Sequence, residues 1–187
     1  AQDAFALRSH ERAIAAQEAG RFDEEIVPVT VPGKKGDTVV SVDESPRADT
    51  SAEALAKLKP AFQPDGGTVT AGNAPGITDG AAATVVASER AVEQMGLTPL
   101  ARIVGYAQAD MEAKWLFLAP VMGVRRLLDR IELPIEAFDL IEINEAFAAV
   151  GISSTRELGI DPEKVNVNGG AIAIGHPLGM SGARIAL

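Results

Sequence analysis

The chain has 187 residues, with 17 Lys and Arg against 26 Asp and Glu, a formal charge of −9, and 47% apolar residues of which few are aromatic. That acidity argues against a nucleic-acid binder, which needs clustered basic residues, and leaves a core built from Ala, Val, Ile and Leu. There is no cysteine, which excludes disulfides, cysteine-ligated zinc and a cysteine nucleophile among these residues. No apolar run approaches the roughly 20 residues of a membrane span, and no leader-like segment opens the chain, so the default expectation is a cytoplasmic protein. The chain begins at Ala1 without Met and ends at Leu187 inside an apolar helical pattern, so a piece of a longer protein is expected.

In chain order, Asp3 to Ala19 reads as a helix, with Asp3 as N-cap and Gly20 at the C-cap. His10 falls on its polar face and reads as solvated. Ile26 to Val31 and Thr38 to Val42 alternate apolar and polar residues around a Pro-Gly-Lys-Lys-Gly-Asp turn, a candidate β-hairpin with Lys34 and Lys35 exposed at its tip. Thr50 and Glu53 have capping-box spacing ahead of a helix over Ala54 to Lys59, which Pro60 closes. Thr68 to Asp79 is a turn-rich loop after a short strand.

From Gly80 the rhythm changes. Ala82 to Ala87 is a continuous apolar run, the pattern of a strand buried on both faces. Ser88 caps a helix over Glu89 to Met95, which Gly96 ends. Strands are expected at Ala101 to Tyr106, Asp139 to Ile143 and Val165 to Val167. Helices are expected at Ala119 to Arg130, at Glu145 to Leu158 and from Ser181 onward. This alternation is that of a layered α/β domain, with a boundary near Ile77.

Two clusters carry the chemistry. Asn144-Glu145-Ala146-Phe147 stands where a strand ends and a helix begins, the edge at which open α/β sheets bind ligands. Asn144 is there either an N-cap or an amide donor beside helix N–H groups. The second cluster runs Asn166-Val167-Asn168-Gly169-Gly170-Ala171-Ile172-Ala173-Ile174-Gly175-His176-Pro177-Leu178-Gly179. Its glycines allow close backbone approach to a ligand, and His176 is either structural or a general base or oxyanion donor. Gly170 to Gly175 has P-loop spacing, but His176-Pro177 stands where Lys and Ser or Thr are needed. The two histidines lie too far apart in sequence to be a recognisable metal pair, so no metal is expected.

Taken together and in this order, the two clusters resemble the thiolase family. The Asn-Glu-Ala-Phe-Ala-Ala stretch and the Val165-to-Arg184 stretch match its signatures almost residue for residue. The likeness extends through Gly67 to Gly76, Asp79 to Ala83, and Asp3 to Ala6. It distinguishes the chain from ketoacyl synthases, which share the fold but lack the Asn-Glu-Ala-Phe motif.

The resemblance implies a fold of two mirrored βαβαβαββ halves with a loop domain inserted in the first. Residues 1–77 then correspond to the end of that CoA-binding loop domain. Residues 78–187 correspond to most of the C-terminal half, ending before its last strand. The N-terminal half with its nucleophilic cysteine, and a Cys-x-Gly-Gly-Gly turn with a second cysteine, lie outside the chain. The implied reaction is acyl transfer between CoA thioesters: condensation of two acetyl-CoA to acetoacetyl-CoA, or cleavage of a 3-ketoacyl-CoA by CoA.

By the same resemblance, His176 activates a cysteine and, with a water held by Asn144, stabilises the thioester oxyanion. Arg47 matches a position near the adenine, Phe62 and Ala71 line the pantetheine, and Phe147 faces the reacting end. Pro75 and Leu116 fall at CoA-contact positions where the sequence departs from the biosynthetic pattern, as does Ala54, which leaves the acyl-chain length open. CoA thioesters are expected as substrates, with no separate cofactor. The missing half and a homo-oligomer are the expected partners, with no nucleic acid and no membrane. The rival readings are a non-catalytic CoA-binding module and an interaction fragment, inactive alone.

Overall fold

A computed structural model describes all residues, 1–187. The longest element is helix α1, Gln2–Glu18. Its buried residues Phe5, Ala6, Ser9, His10, Ala13 and Ala16 recur at the 3.6-residue period and form one stripe. Most are small, so neighbouring backbone comes close: a side-chain carbon added at Gly169, whose φ is +83°, would stand 2.7 Å from Ala13 Cβ. Gly20 takes the left-handed φ of +69° just past the cap residue Ala19, as a helix-ending glycine does.

The start of α1 differs from expectation. Ala1 is the N-cap and Asp3 lies in the first turn. Its carboxylate is taken by a distant partner, accepting a 2.8 Å bond from Asn73 Nδ2.

The hairpin forms as expected, with β1 (Val29–Val31) antiparallel to β2 (Thr38–Val40) and Thr30 opposite Val39. The next helix, α2, spans Ala52–Leu55. Ser51, and not Thr50, is its cap: Ser51 Oγ accepts from Ala54 N at 3.1 Å. Helix α3, Glu89–Met95, is capped by Ser88 and ended by a left-handed Gly96. Helix α4, Ala119–Ile131, starts with Pro120 in its first turn and follows a 3₁₀ segment, Ala113–Leu118, that the sequence did not announce.

The expected sheet is the main correction. Residues 82–87 and 101–106 run as single segments with no strand pairing. Val85 is 93% exposed, and Val86, Ile103 and Val104 also face solvent. A strand is a property of a pair, since its N–H and C=O groups need a neighbour. No other segment pairs with these two as a strand; helix α4 packs against the second of them, with Ile131 and Leu127 beside Gly105. The runs at 139–143 and 165–167 do meet. They share one parallel bridge, in which Lys164 O accepts from Ile141 N at 2.9 Å and Ile141 O accepts from Asn166 N at 3.0 Å.

Helix α5, Ala148–Glu157, begins three residues later than expected. Phe147 is extended, with φ −153° and ψ 152°, and Ala148 N donates to Asn73 O at 3.0 Å. Two short helices follow, α6 (Ala171–Ile174) and α7 (Ser181–Arg184). The core gathers Phe5 and Ala6 of α1, Ala148 of α5 and Ile172 of α6. Both chemical clusters are thereby fastened to the same helix. No helix is long and apolar enough to cross a membrane.

Candidate active site

The late start of α5 has a specific cause. Glu145 turns inward and is 1% exposed. Its carboxylate accepts from Ser9 Oγ at 2.7 Å, Asn166 Nδ2 at 2.8 Å and Ile172 N at 3.0 Å. Ser9 Oγ in turn accepts from Gly170 N at 3.0 Å. One side chain therefore ties the segment carrying Asn144 to α1 and to the glycine-rich segment carrying His176. Gly170 must lack a side chain, because a Cβ there would overlap the carboxyl. Burial raises the pKa of Glu145 above the ordinary carboxylate value, outweighing its hydrogen bonds to Asn166, Ser9 and Ile172. Sequence reasoning saw Glu145 only as a letter of a motif.

Asn166 completes the tie. It sits in the left-handed region at φ 47°. Its Oδ1 accepts from Ile143 N at 2.7 Å, and its Nδ2 donates to Ile143 O at 2.9 Å. That pair copies a strand ladder with a side-chain amide and fixes the residue immediately before Asn144.

Asn144 is not a helix cap. It lies three residues outside the N-cap of α5, and its Nδ2 stands 3.3 Å from His176 Nε2. The other ring nitrogen fixes the tautomer. Ser181 Oγ gives its proton to Pro177 O at 2.9 Å, so at 2.6 Å it accepts from His176 Nδ1. The neutral ring thus carries its proton on Nδ1 and presents the Nε2 lone pair to Asn144, an assignment made from the hydrogen-bond network. Burial and then the Arg184 guanidinium hold the imidazole below its ordinary range, so it is neutral near pH 7. Asn144 Oδ1 is buried and accepts nothing from the protein, which suits an atom that holds a water or substrate group. A neutral Nε2 can take a thiol proton. Once protonated, the same nitrogen and the Asn144 amide are two donors for a developing oxyanion.

A cavity of about 430 Å³ is lined as far as Gly175, the residue before His176, but by neither Asn144 nor His176 itself. Its lining includes His10 of α1, Arg47, Asp49, Ala54 and Leu55, and Ala71. Ile172, Ala173 and Gly175, which precede His176 in the chain, also line it. Arg47 and Ala71, for which the sequence resemblance implies CoA contacts, both line this cavity. His10 corrects the sequence reading: it is 7% exposed, and its Nδ1 accepts from Arg47 N at 3.2 Å. The remaining contact residues divide. Phe62 and Phe147 pack edge to face with ring centres 6.3 Å apart, and Phe117, which the sequence did not single out, stacks on Phe147 at 5.3 Å. Pro75 is half-buried between cavity-lining Ala74 and Gly76. Leu116 is exposed and lines none of this cavity. No group of three His, Asp or Glu side chains is placed to hold a metal ion.

The family profile described as "Thiolase, N-terminal domain" matches residues 1–90, and "Thiolase, C-terminal domain" matches 97–187. The chain belongs to the thiolase family. It is 62% identical to the β-ketoadipyl-CoA thiolase of Pseudomonas aeruginosa, over all of this chain and 47% of that protein. It is 53% identical to the acetyl-CoA acetyltransferase of Chromobacterium violaceum, over 98% of this chain and 47% of that one. The thiolase fold is equally plain in space. The crystal structure of the Bacillus anthracis acetyl-CoA acetyltransferase superposes with a TM-score of 0.91 at 50% identity. Human mitochondrial 3-ketoacyl-CoA thiolase does so at 0.87 and 43%. Each match covers 99% of this chain and 47% of the other. The chain thus spans about half the length of the relatives it matches, and its unpaired segments still follow the path of the thiolase fold.

Proposed function

We propose that these residues supply the oxyanion-binding and CoA-binding part of a thiolase that transfers acyl groups between CoA thioesters. The observation that carries the reading is the 3.3 Å approach of Asn144 Nδ2 to His176 Nε2, with Gly175, the residue before that histidine, lining the cavity. An acyl-enzyme needs a thiolate, and the chain has no cysteine, so the nucleophile comes from residues beyond these 187. His176 would take its proton through Nε2. The resulting imidazolium and the Asn144 amide, directly or through a water, would then face the thioester oxygen. Two of the relatives described above are named for β-ketoadipyl-CoA and for acetyl-CoA, which supports a 3-ketoacyl-CoA substrate class.

The absence of cysteine supports a second reading for the chain by itself: a CoA-binding half-site without turnover. Both readings are tested together by CoA-dependent cleavage of acetoacetyl-CoA and 3-ketoadipyl-CoA, followed by loss of the 3-ketoacyl absorbance. The isolated chain should be inactive. The same residues joined to a cysteine-bearing half should be active, and His176→Ala should then cost on the order of 10²-fold. Turnover by the 187-residue chain alone would overturn the assignment of the nucleophile. An active assembly indifferent to His176→Ala would overturn the site.

A further inference from the structure

His10 is a buried imidazole that the reaction above does not use, and it stands in the wall of the cavity. It lies on α1, beside Ser9 of the Glu145 tie, and reaches across to the segment that carries Arg47. The contact is to backbone: Arg47 N donates to His10 Nδ1 at 3.2 Å. The Arg47 side chain is left free of that bond. Its Nε and Nη2 each lie 3.3 Å from the Asp49 carboxylate.

An imidazole that accepts at Nδ1 must be neutral and must carry its proton on Nε2. That Nε2–H has no partner in the protein, so it is a donor available at the cavity wall. Protonation would place a second N–H at Nδ1, facing the Arg47 N–H donor to donor, and the bond would be lost. We propose that His10 is a positioning residue of the CoA cavity: its neutral imidazole holds Arg47 by the backbone, and protonation lets that segment go. The part concerning CoA rests on the functional reading above; the coupling between His10 and Arg47 does not.

The charged surroundings are few. Arg47 and Asp49 are the other titratable groups lining the cavity. Glu53 of α2 is engaged by its own backbone and Ser51. The charged residues of α5, Arg156 and Glu157, are its last two and are exposed, and α6 contributes none. Burial first, then Arg47, lowers the proton affinity of His10, with Asp49 opposing. The ring is therefore neutral at pH 7.5 and begins to titrate below the ordinary imidazole value of about 6.5. A released Arg47 segment must be re-ordered when ligand binds, which lowers affinity. The added imidazolium charge would by itself favour an anionic ligand, so a net fall in affinity on acidification is the result that reports release of the Arg47 segment.

The experiment uses the 187-residue chain and His10→Asn, in which the Asn side-chain oxygen can accept at the Nδ1 position without titrating. Amide hydrogen exchange of the peptide containing Arg47 is compared at pH 7.5 and pH 5.0. The two proteins are compared at each pH, so the intrinsic exchange rate cancels. Equal protection is expected at pH 7.5, and about five-fold less protection in wild type at pH 5.0, the scale of one net hydrogen bond. Equal protection at both pH values overturns the proposal. Should His10→Asn fail to fold, the wild-type Arg47 peptide is measured against α4 after intrinsic-rate correction. Protection lost at pH 5.0 in the Arg47 peptide and not in α4 then upholds the proposal, and protection that changes equally in both overturns it.

Calorimetry with CoA forms the second arm. Wild-type affinity should fall about five-fold from pH 7.5 to 5.0 while His10→Asn stays level, again the scale of one hydrogen bond. Wild-type affinity that is level or tighter at pH 5.0 overturns the proposal. Arg47 release with no CoA binding at either pH would uphold the coupling and overturn the CoA reading instead.

Discussion

Ser181 Oγ lies 2.6 Å from His176 Nδ1 and donates its own proton to Pro177 O. The hydroxyl has one proton to give, so it can only accept from the ring. A residue on the first turn of α7 thereby decides which nitrogen of His176 keeps its lone pair. Because α7 begins only five positions after His176, the orientation of the ring and the helix start are one local unit.

Removing that hydroxyl should scramble the tautomer. In Ser181→Ala, Nδ1 loses its acceptor and the proton is free to move to Nε2, where it opposes the Asn144 amide. Nitrogen-15 NMR of the imidazole should show a single Nδ1–H form in wild type and a mixture in the variant. In an assembled enzyme, kcat should fall by about ten-fold or more, the scale expected when a general base is held in the wrong tautomer. An unchanged tautomer ratio would sink the assignment.

Glu145 is a stability determinant. Glu145→Ala would leave Ser9 Oγ, Asn166 Nδ2 and Ile172 N facing an empty pocket, at a cost of about 3 kcal/mol. Glu145→Gln should also destabilise, because every contact of the carboxylate is a donor and an amide NH₂ would face one of them. Urea denaturation followed by circular dichroism measures both. A Gln variant as stable as wild type would mean that the carboxyl is not surrounded as described.

Asn73 ties the other end of α1. It is wholly buried; its Nδ2 donates to Asp3 Oδ1 and Thr68 O, and its Oδ1 accepts from Thr70 N at 3.0 Å. Its carbonyl also receives Ala148 N of α5. Asn73→Ala should cost about 2 kcal/mol, the range for stranding buried hydrogen-bond groups. Hydrogen exchange should then show the first turns of α1 and α5 loosening together. Loosening confined to the 68–73 turn would show that Asn73 acts only locally.

The two histidines should lower stability on mild acidification. Both His10 and His176 have proton affinities lowered by burial in the folded state. Between the ordinary imidazole value of about 6.5 and the lowered folded values, the unfolded chain binds more protons than the folded one. Their contribution is therefore present above pH 6.5 and is lost as pH falls through the folded values. Burial of Glu145 and Glu142 raises their pKa values and acts in the opposite direction, so the comparison is made between proteins: the urea midpoint should drop more, or rise less, from pH 7.5 to 5.5 in wild type than in His10→Asn. Identical pH dependence in the two proteins would contradict the burial of His10.

The exposed apolar residues of 82–87 and 101–106 should drive association. Val85, Val86, Ile103 and Val104 face solvent on segments with unpaired backbone, a combination that promotes self-pairing. Light scattering after size exclusion should show species larger than the monomer, and a dye for apolar surface should bind. A monodisperse monomer that binds no dye would mean that these segments are covered.

Much of this molecule was legible in its sequence because the forces concerned are local. Helices at Glu89–Met95 and Ala119–Ile131 follow from periodicity, a serine cap, a terminal glycine and an early proline. The β1–β2 hairpin follows from alternation around a turn. The two motifs likewise announced Asn144, His176 and the thiolase family, since a motif records a short stretch of backbone and its side chains. What the sequence left undecided depends on partners far along the chain. Whether Asn144 caps a helix or meets His176 is decided by Glu145, whose bonds to Ser9 and Ile172 hold the 144–147 segment out of the helix. His10 looked solvated because its helix face is polar by composition, yet the Arg47 segment covers it. The runs at 82–87 and 101–106 have strand-like residues but no strand, because apolar side chains can favour an extended backbone, whereas a ladder requires a second backbone alongside to exchange hydrogen bonds.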